Sequence, residues 1–443
     1  MDRRVFNRIA VGLLGASTVD ITSASASERK IGATGKAISL PMTNLQELFH
    51  RYLFDDFLPF MDRYVIDHEL GGFMCEVHPN GERVSDSKPT WYQGRGLWVY
   101  CFLYNNFGRN QSYLDVALKT RKLIEKSRPA NSDTMWPKIL HRDGSAASPP
   151  DDQIYGDMFI AEGLAELSKA TGDTDAWDEA KRIVLGCVRK YDRDDYCPQI
   201  GETYLGAGAR PFPGARIEGV WMMIIRTTTQ MLEMHHDDEL EALNRRAVDA
   251  LLNHHWNPQF RLINELINHD LSRPENEYGQ LVYAGHAIET LWMLLYEARR
   301  RGDEKLFDRG AELFRRHCEV ARDRVYGGLL RNLKNVDQND WTLDKTLFPH
   351  QEALIGSIFL VEHTGDLWAT EFYSELFEYT RTKFSMRSID SPLWQVIGDR
   401  QVTIDPKMTR AENYHQPRFL MLNLLSLQRM IKRNGIPVRT QTS

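Results

Sequence analysis

Four short turns divide this chain at nearly equal intervals. Asn106-Phe-Gly108, Ala170-Thr-Gly-Asp173, Arg300-Arg-Gly-Asp303 and His363-Thr-Gly-Asp366 each end one helical apolar pattern, and another begins a few residues on. A glycine there can take the left-handed conformation that closes a helix, so each turn reads as the tip of an αα-hairpin. From Gly108 to Gly172 is 64 residues, from Gly172 to Gly302 is 130, and from Gly302 to Gly365 is 63. The missing turn falls near residue 236, where His235-His-Asp-Asp-Glu239 interrupts an apolar run, and Gly435 ends the last helix. The chain therefore repeats with a period of about 64 residues over about six units. Six helical hairpins closed into a ring form an all-α (α/α)6 barrel, and that is the expected fold. An open helical solenoid is the rival arrangement.

Length and composition agree. A chain of 443 residues, 42% apolar and 26% charged, suits one large barrel-type domain. The net charge of −6 argues against a nucleic-acid surface or a polybasic membrane patch. No run of about 20 apolar residues is present, so no membrane span is expected. The first residues differ from the rest. Met1 to Arg8 is basic, Ile9 to Val19 is mildly apolar, and Ala24-Ser25-Ala26 has the form of a cleavage site. Arg3-Arg4 followed by Val5-Phe6 reads as a twin-arginine export signal. The expected layout is a signal over 1–26, a linker over 27–42, one barrel over 43–435 and a tail over 436–443. The expected location is periplasmic or secreted, with the cytoplasm as the alternative. Cys75, Cys101, Cys187, Cys197 and Cys318 are odd in number and widely spaced, which predicts mostly buried thiols rather than a disulfide framework.

Between the short turns lie six longer, irregular loops, over 67–93, 128–152, 192–215, 256–284, 324–349 and 384–415. They hold the Gly-Gly pairs, the prolines and the short β-like segments, and they should share one rim, where function is expected. The helices they lead into open on polar groups. These openings are Trp91-Tyr-Gln-Gly-Arg95, Asp152-Gln-Ile-Tyr155, Arg216-Ile-Glu218, Gly285-His-Ala-Ile-Glu289, His350-Gln-Glu352 and Tyr414-His-Gln-Pro-Arg418. The period makes these positions equivalent, at one mouth of the barrel. Helix N-termini there favour an anionic intermediate. His286 and Glu289 are three residues apart, one turn on a single helix face, so Glu289 is expected to raise the basicity of His286. His235-His236 and His254-His255 fall outside this register and read as surface residues. A metal held by His286, Glu289, His350 and His415 is chemically conceivable, but no known ligand spacing is present, so none is expected.

The segments Trp91 to Tyr100, Gly285-His-Ala-Ile-Glu289, Phe348-Pro-His-Gln-Glu-Ala353 and Tyr414-His-Gln-Pro-Arg418 resemble the N-acylglucosamine 2-epimerase family. The resemblance covers roughly residues 43–432 and implies an (α/α)6 barrel. It implies a carbohydrate isomerase acting at C2 of a hexose or N-acyl hexosamine. After ring opening, a base takes the C2 proton, a cis-enediolate forms, and an acid returns a proton to the other face or to C1. By motif, His286 and His415 are the acid/base pair, Glu289 orients His286, and Arg95 stabilises the enediolate charge. Trp91, Glu218, His350, Glu352 and Arg418 shape the sugar pocket. No metal or redox cofactor is implied. Some members of the branch use ATP as an effector, and no nucleotide motif here supports or excludes it. The partner is a small sugar, and a homodimer is compatible with it. Leu347-Phe348 stand where the family often has two tryptophans, and Ala287 follows His286, so the sugar stays open. The alternative is a glycoside hydrolase or unsaturated-uronyl hydrolase on the same barrel, which needs paired carboxylates.

Overall fold

The computed structural model describes residues 40–131, 133–200 and 209–441. The expected export signal and most of the linker lie outside the described residues. Helix α1 (Met42–His50) continues through wider turns to Val65. Five hairpins follow: α2 (Thr90–Asn106) with α3 (Gln111–Lys126), α4 (Tyr155–Thr171) with α5 (Thr174–Tyr191), and α6 (Glu218–Leu232) with α7 (Asp238–Asp249), then α8 (Ala284–Arg301) with α9 (Glu304–Ala321), and α10 (Leu347–Thr364) with α11 (Leu367–Lys383). Helix α12 (His415–Lys432) completes the barrel.

The even-numbered helices form an inner ring in which each packs on the next and α12 returns to α2. The odd-numbered helices form the outer ring, with α1 covering α12. The array is therefore a closed (α/α)6 barrel rather than a solenoid. The turn expected near 236 lies between α6 and α7.

Sequence explains the division into rings. Every residue of α6 is buried, as are nearly all of α10, the mark of a helix covered on all sides. Outer helices such as α9 bury one stripe, Phe307, Gly310, Leu313, Phe314, His317 and Cys318, and expose the rest. The two sets also start differently. Asn110, Asp173, Asp237, Asp303 and Asp366 cap the five outer helices that follow the short turns, each accepting a backbone N–H. None of the inner helices has such a cap. At the short turns Gly172, Gly302 and Gly365 hold φ of 77°, 65° and 67° at the ends of α4, α8 and α10, the left-handed closure the spacing predicts.

The long loops share the opposite rim and are stitched by two-stranded pairs. Lys88–Pro89 pairs with Ile139–Leu140, Arg216–Ile217 with Leu266–Ile267, and Lys345–Thr346 with Ile397–Gly398. Each first strand leads into an inner helix and pairs with the following long loop. Each also opens on a buried cation. Lys88 bonds Asp67 at 2.9 Å and the Gly71 carbonyl at 2.6 Å. Lys345 lies 3.1 Å from Asp323 and bonds the Gly327 carbonyl at 2.5 Å. From the next loop, Arg142 and Arg400 clamp those aspartates. In the third copy, Arg216 donates to the carbonyls of Tyr191 and Arg193 instead. The Gly71-Gly72 and Gly327-Gly328 pairs thus serve lysine-holding turns. Four of the cysteines are buried and all five are free thiols. His255, expected at the surface, is fully buried, with its Nδ1 2.7 Å from the Asn264 carbonyl oxygen. No described helix is long and apolar enough to cross a membrane.

Candidate active site

The mouth of the inner ring holds a cavity of about 510 Å³. His286, Glu289, Arg95, His415 and Trp91 all line it, although they come from α2, α8 and α12. Glu218, Glu352 and Arg418 stand behind that lining and are fully buried.

Both histidines sit in the first turn of an inner helix, and both rest on a buried carboxylate. His286 Nδ1 lies 2.8 Å from Glu265 Oε1, and His415 Nδ1 lies 2.9 Å from Glu352 Oε1. In each pair the carboxylate accepts the Nδ1–H. That fixes the tautomer and leaves proton exchange to Nε2. Phe348 packs against both rings, with centroids 6.3 Å from His286 and 5.2 Å from His415. Tyr283 meets the His286 ring edge-on at 4.3 Å.

The next layer of charge separates the two. Burial alone would lower the His286 pKa, but Glu265, Glu218 and Glu289 outweigh it and raise it to about 9. Glu218 is itself pushed up to about 8, first by burial and then by Glu265. Its Oε1 accepts the Thr290 hydroxyl, and its Oε2 has no partner. Around His415 the order reverses. Burial lowers it, the Arg418 and Arg95 charges add to that, and Glu289 and Glu412 only partly oppose them, so the value falls to about 3. At neutral pH, His286 is an imidazolium and His415 a neutral base.

Arg418 holds the second half together. It pairs with Glu289 and with Glu352, the latter at 2.8 Å, and donates to the Tyr414 hydroxyl at 3.0 Å. That hydroxyl donates on to Glu162 at 2.7 Å, and Arg226 meets Glu162 at 3.1 Å. Arg95 lies among three aromatic faces, Phe159 at 4.2 Å and Trp91 and Tyr414 at 5.0 Å each. Its Nη1 reaches Glu412 at 3.4 Å, and its buried Nε has no partner. Burial would raise Glu412, but His415, Arg95 and Arg410 hold it below the usual carboxylate range.

Two expectations are corrected. Glu289 does not orient His286; it bonds Arg418, and Glu265 takes the orienting place. Three-residue spacing puts two side chains on one face but does not choose their partners. His350 does not shape the cavity. It is fully buried, accepts the Leu329 N–H at 2.9 Å on Nε2, and has Nδ1 2.9 Å from the Thr346 carbonyl oxygen. Burial lowers it to about 3, so it is a neutral structural group that pins the loop to α10. Glu265 and Glu412 were missed. A signal for Glu265 exists: Asn264-Glu265 interrupts Leu262-Ile263 and Leu266-Ile267, which are buried strands. A carboxylate inside such a segment must find a partner.

Two trios could offer ligands to a metal, Glu218–Glu265–His286 and Glu289–Glu352–His415, with the offered atoms of each within 4.8 Å of one another. The second already has the Arg418 guanidinium as its counter-charge. In the first, His286 lies 2.8 Å from Glu265 as its ionisable partner.

A barrel with two carboxylate-backed histidines and a buried arginine at one mouth defines a class of enzyme that moves protons on a bound ligand. The match to known proteins narrows it. Residues 71–417 fit the family model "N-acylglucosamine 2-epimerase (GlcNAc 2-epimerase)", and the chain belongs to that family. It is 27% identical over 333 residues to the N-acylglucosamine 2-epimerase of Bos taurus, covering 72% of this chain and 76% of that one. It is 20% identical over 375 residues to the cellobiose 2-epimerase of Bacteroides fragilis, covering 82% and 93%. Among solved structures, the cellobiose 2-epimerase of Bacillus thermoamylovorans superposes with a TM-score of 0.74 at 16% identity, covering 86% of this chain and 99% of that one.

Proposed function

We propose that this enzyme is a carbohydrate 2-epimerase that inverts C2 of an open-chain sugar by passing protons between two histidines of opposite charge. His415 removes the C2 proton as the neutral base. Arg95 bonds the oxygen on which the enediolate charge develops, and its unpartnered buried Nε supports that role. His286 delivers a proton to the opposite face as the imidazolium. In the reverse direction the roles exchange. Return of the proton to C1 instead would make the same site an aldose–ketose isomerase. The scheme draws acid, base and oxyanion partner from the chain itself and calls on no cofactor.

The observation that carries this reading is that two histidines, each backed by a buried carboxylate, line one cavity with values driven in opposite directions. Acid and base assignments follow where environments separate a pair in this way. The decisive experiment is incubation with aldoses and N-acyl hexosamines in heavy water, followed by NMR. Deuterium at C2 is expected, and release of reducing sugar from oligosaccharides without C2 exchange would sink the idea. The hydrolase alternative fits less well. Both carboxylates that line the cavity are tied to arginines, Glu289 to Arg418 and Glu412 to Arg95, so neither is poised as a general acid. A family 76 α-mannanase from Bacteroides thetaiotaomicron, with a TM-score of 0.57 at 10% identity, shares the fold alone.

The proposal keeps the export reading of Arg3-Arg4, which places the enzyme in the periplasm or outside the cell. Cell fractionation with R3K/R4K, which should retain the protein in the cytoplasm, checks it.

A further inference from the structure

The cavity carries hydrogen-bonding capacity that the two-histidine scheme does not use. Arg331 Nε, Thr346 Oγ1, Gln351 Nε2 and Arg410 Nε are all buried without a partner, and all four residues line the cavity. Arg331 and Gln351 are themselves 7% and 1% exposed. A buried donor left unsatisfied is costly, so four on one cavity point to a missing acceptor. The type of acceptor follows from what surrounds them. Three of these atoms are N–H donors and the fourth is a hydroxyl. Most acceptor atoms of the acidic groups nearby are engaged: Glu289 by Arg418, Glu412 by Arg95 and the Tyr414 and Gln416 N–H groups, and Asp344 Oδ2 by Arg331 Nη2 at 2.7 Å, which leaves Asp344 Oδ1 as a buried acceptor without a partner. A sugar hydroxyl would bring a hydrogen of its own into a region where four open donors face one open acid oxygen, Asp344 Oδ1. A carboxylate, phosphate or sulfonate brings only acceptors.

Charge gives the same answer independently. Arg95 and Arg331 each have a carboxylate partner, whereas Arg410 makes no ion pair among the described residues. It lies at the cavity on the loop that leads into α12. An arginine that makes no direct ion pair and meets Glu412 only at longer range is suited, at a ligand cavity, to bind an oxyanion through two N–H groups at once.

We infer that the natural substrate is an acidic sugar, whose carboxylate, phosphate or sulfonate is held by Arg410 with Arg331, Thr346 and Gln351 donating to its oxygens. This rests on the C2 proton-transfer reading, because it assigns the catalytic end of the sugar to His286, His415 and Arg95 and the acidic group to the remaining donors.

The test is C2 exchange in heavy water on matched sugars: a neutral hexose, its 6-carboxylate, its 6-phosphate and its 6-deoxy-6-sulfonate, with the same series on an N-acyl hexosamine. At least one acidic form should exchange with kcat/KM about tenfold or more above its neutral parent, and which form wins identifies the acidic group. R410Q should reduce kcat/KM for that form about tenfold or more, through KM, while R410K retains part of it. Calorimetric binding of the same sugar to R410Q, with its thermal melt, separates lost affinity from misfolding. A neutral parent that exchanges as fast as every acidic form overturns this inference and leaves the epimerase reading standing. No exchange from any sugar in the series overturns both.

Discussion

The two halves of the site are built alike and behave in opposite ways. Each places a histidine in the first turn of an inner helix and a buried carboxylate on its Nδ1, at 2.8 Å for His286 and 2.9 Å for His415. They differ one layer out. Behind His286 stands a second carboxylate, Glu218; behind His415 stands the guanidinium of Arg418. Against burial, Glu265 with Glu218 and Glu289 behind it takes His286 up to about 9, whereas at His415 burial, helped by Arg418 and Arg95, outweighs Glu289 and Glu412 and takes it down to about 3. The lesson is that a His–carboxylate pair does not by itself define an acid or a base. Burial and the charges around the pair decide together.

The comparison can be broken most directly at the histidines. H286N and H415N should each reduce C2 exchange by about 10²–10⁴-fold, with the helical circular dichroism signal retained. Loss from one variant alone would show that a single base serves both faces. Next in size is R418M, which leaves Glu289 and Glu352 buried without a counter-charge. It should cost about 3–5 kcal/mol in urea unfolding, and the His415 ring, followed by NMR, should titrate at a higher pH than in the parent.

E265Q and E352Q sharpen the contrast with smaller effects. Each should reduce turnover about 10–100-fold, as expected when a partner that orients an imidazole is lost. They should differ in profile. E265Q should move the alkaline limb of activity to lower pH, because His286 then loses its proton sooner. E352Q should leave that limb in place.

H350A is the control from the same helix as Glu352. It removes the acceptor of the Leu329 N–H and should cost about 1–3 kcal/mol of stability, with kcat of the folded enzyme preserved. A collapse of kcat at unchanged stability would return His350 to the site.

The pH dependence of stability tests both signs together. His286 is raised above its ordinary 6.5, so its stabilising contribution is complete below that value and disappears as pH climbs through about 9. His255, His317 and His350 are lowered to about 4, 4 and 3. They stay neutral in the fold while the unfolded chain takes up protons, so stability declines as pH drops from about 6.5 toward 4. Melting temperature measured from pH 4 to pH 10 should therefore fall at both ends.

Much of this was legible in the residues. The glycine turns and their 64-residue spacing dictate helical hairpins in register, because a hydrophobic period, a left-handed glycine and an Asx cap are local properties of the chain. The same register puts Arg95, His286, Glu289 and His415 at equivalent helix starts, and all four line one cavity. Tertiary structure alone decided who partners whom. Glu265 reaches His286 from the bend between two loop strands, 21 residues earlier, and Arg418 reaches Glu289 from 129 residues later. His350 stands at an equivalent helix start, yet it turns to Leu329 and Thr346 instead of the cavity. Sequence spacing fixes which face of a helix a side chain occupies. The charge that faces it comes from another repeat, across a barrel that exists only once the ring has closed, and that charge together with burial in the closed ring sets the protonation state.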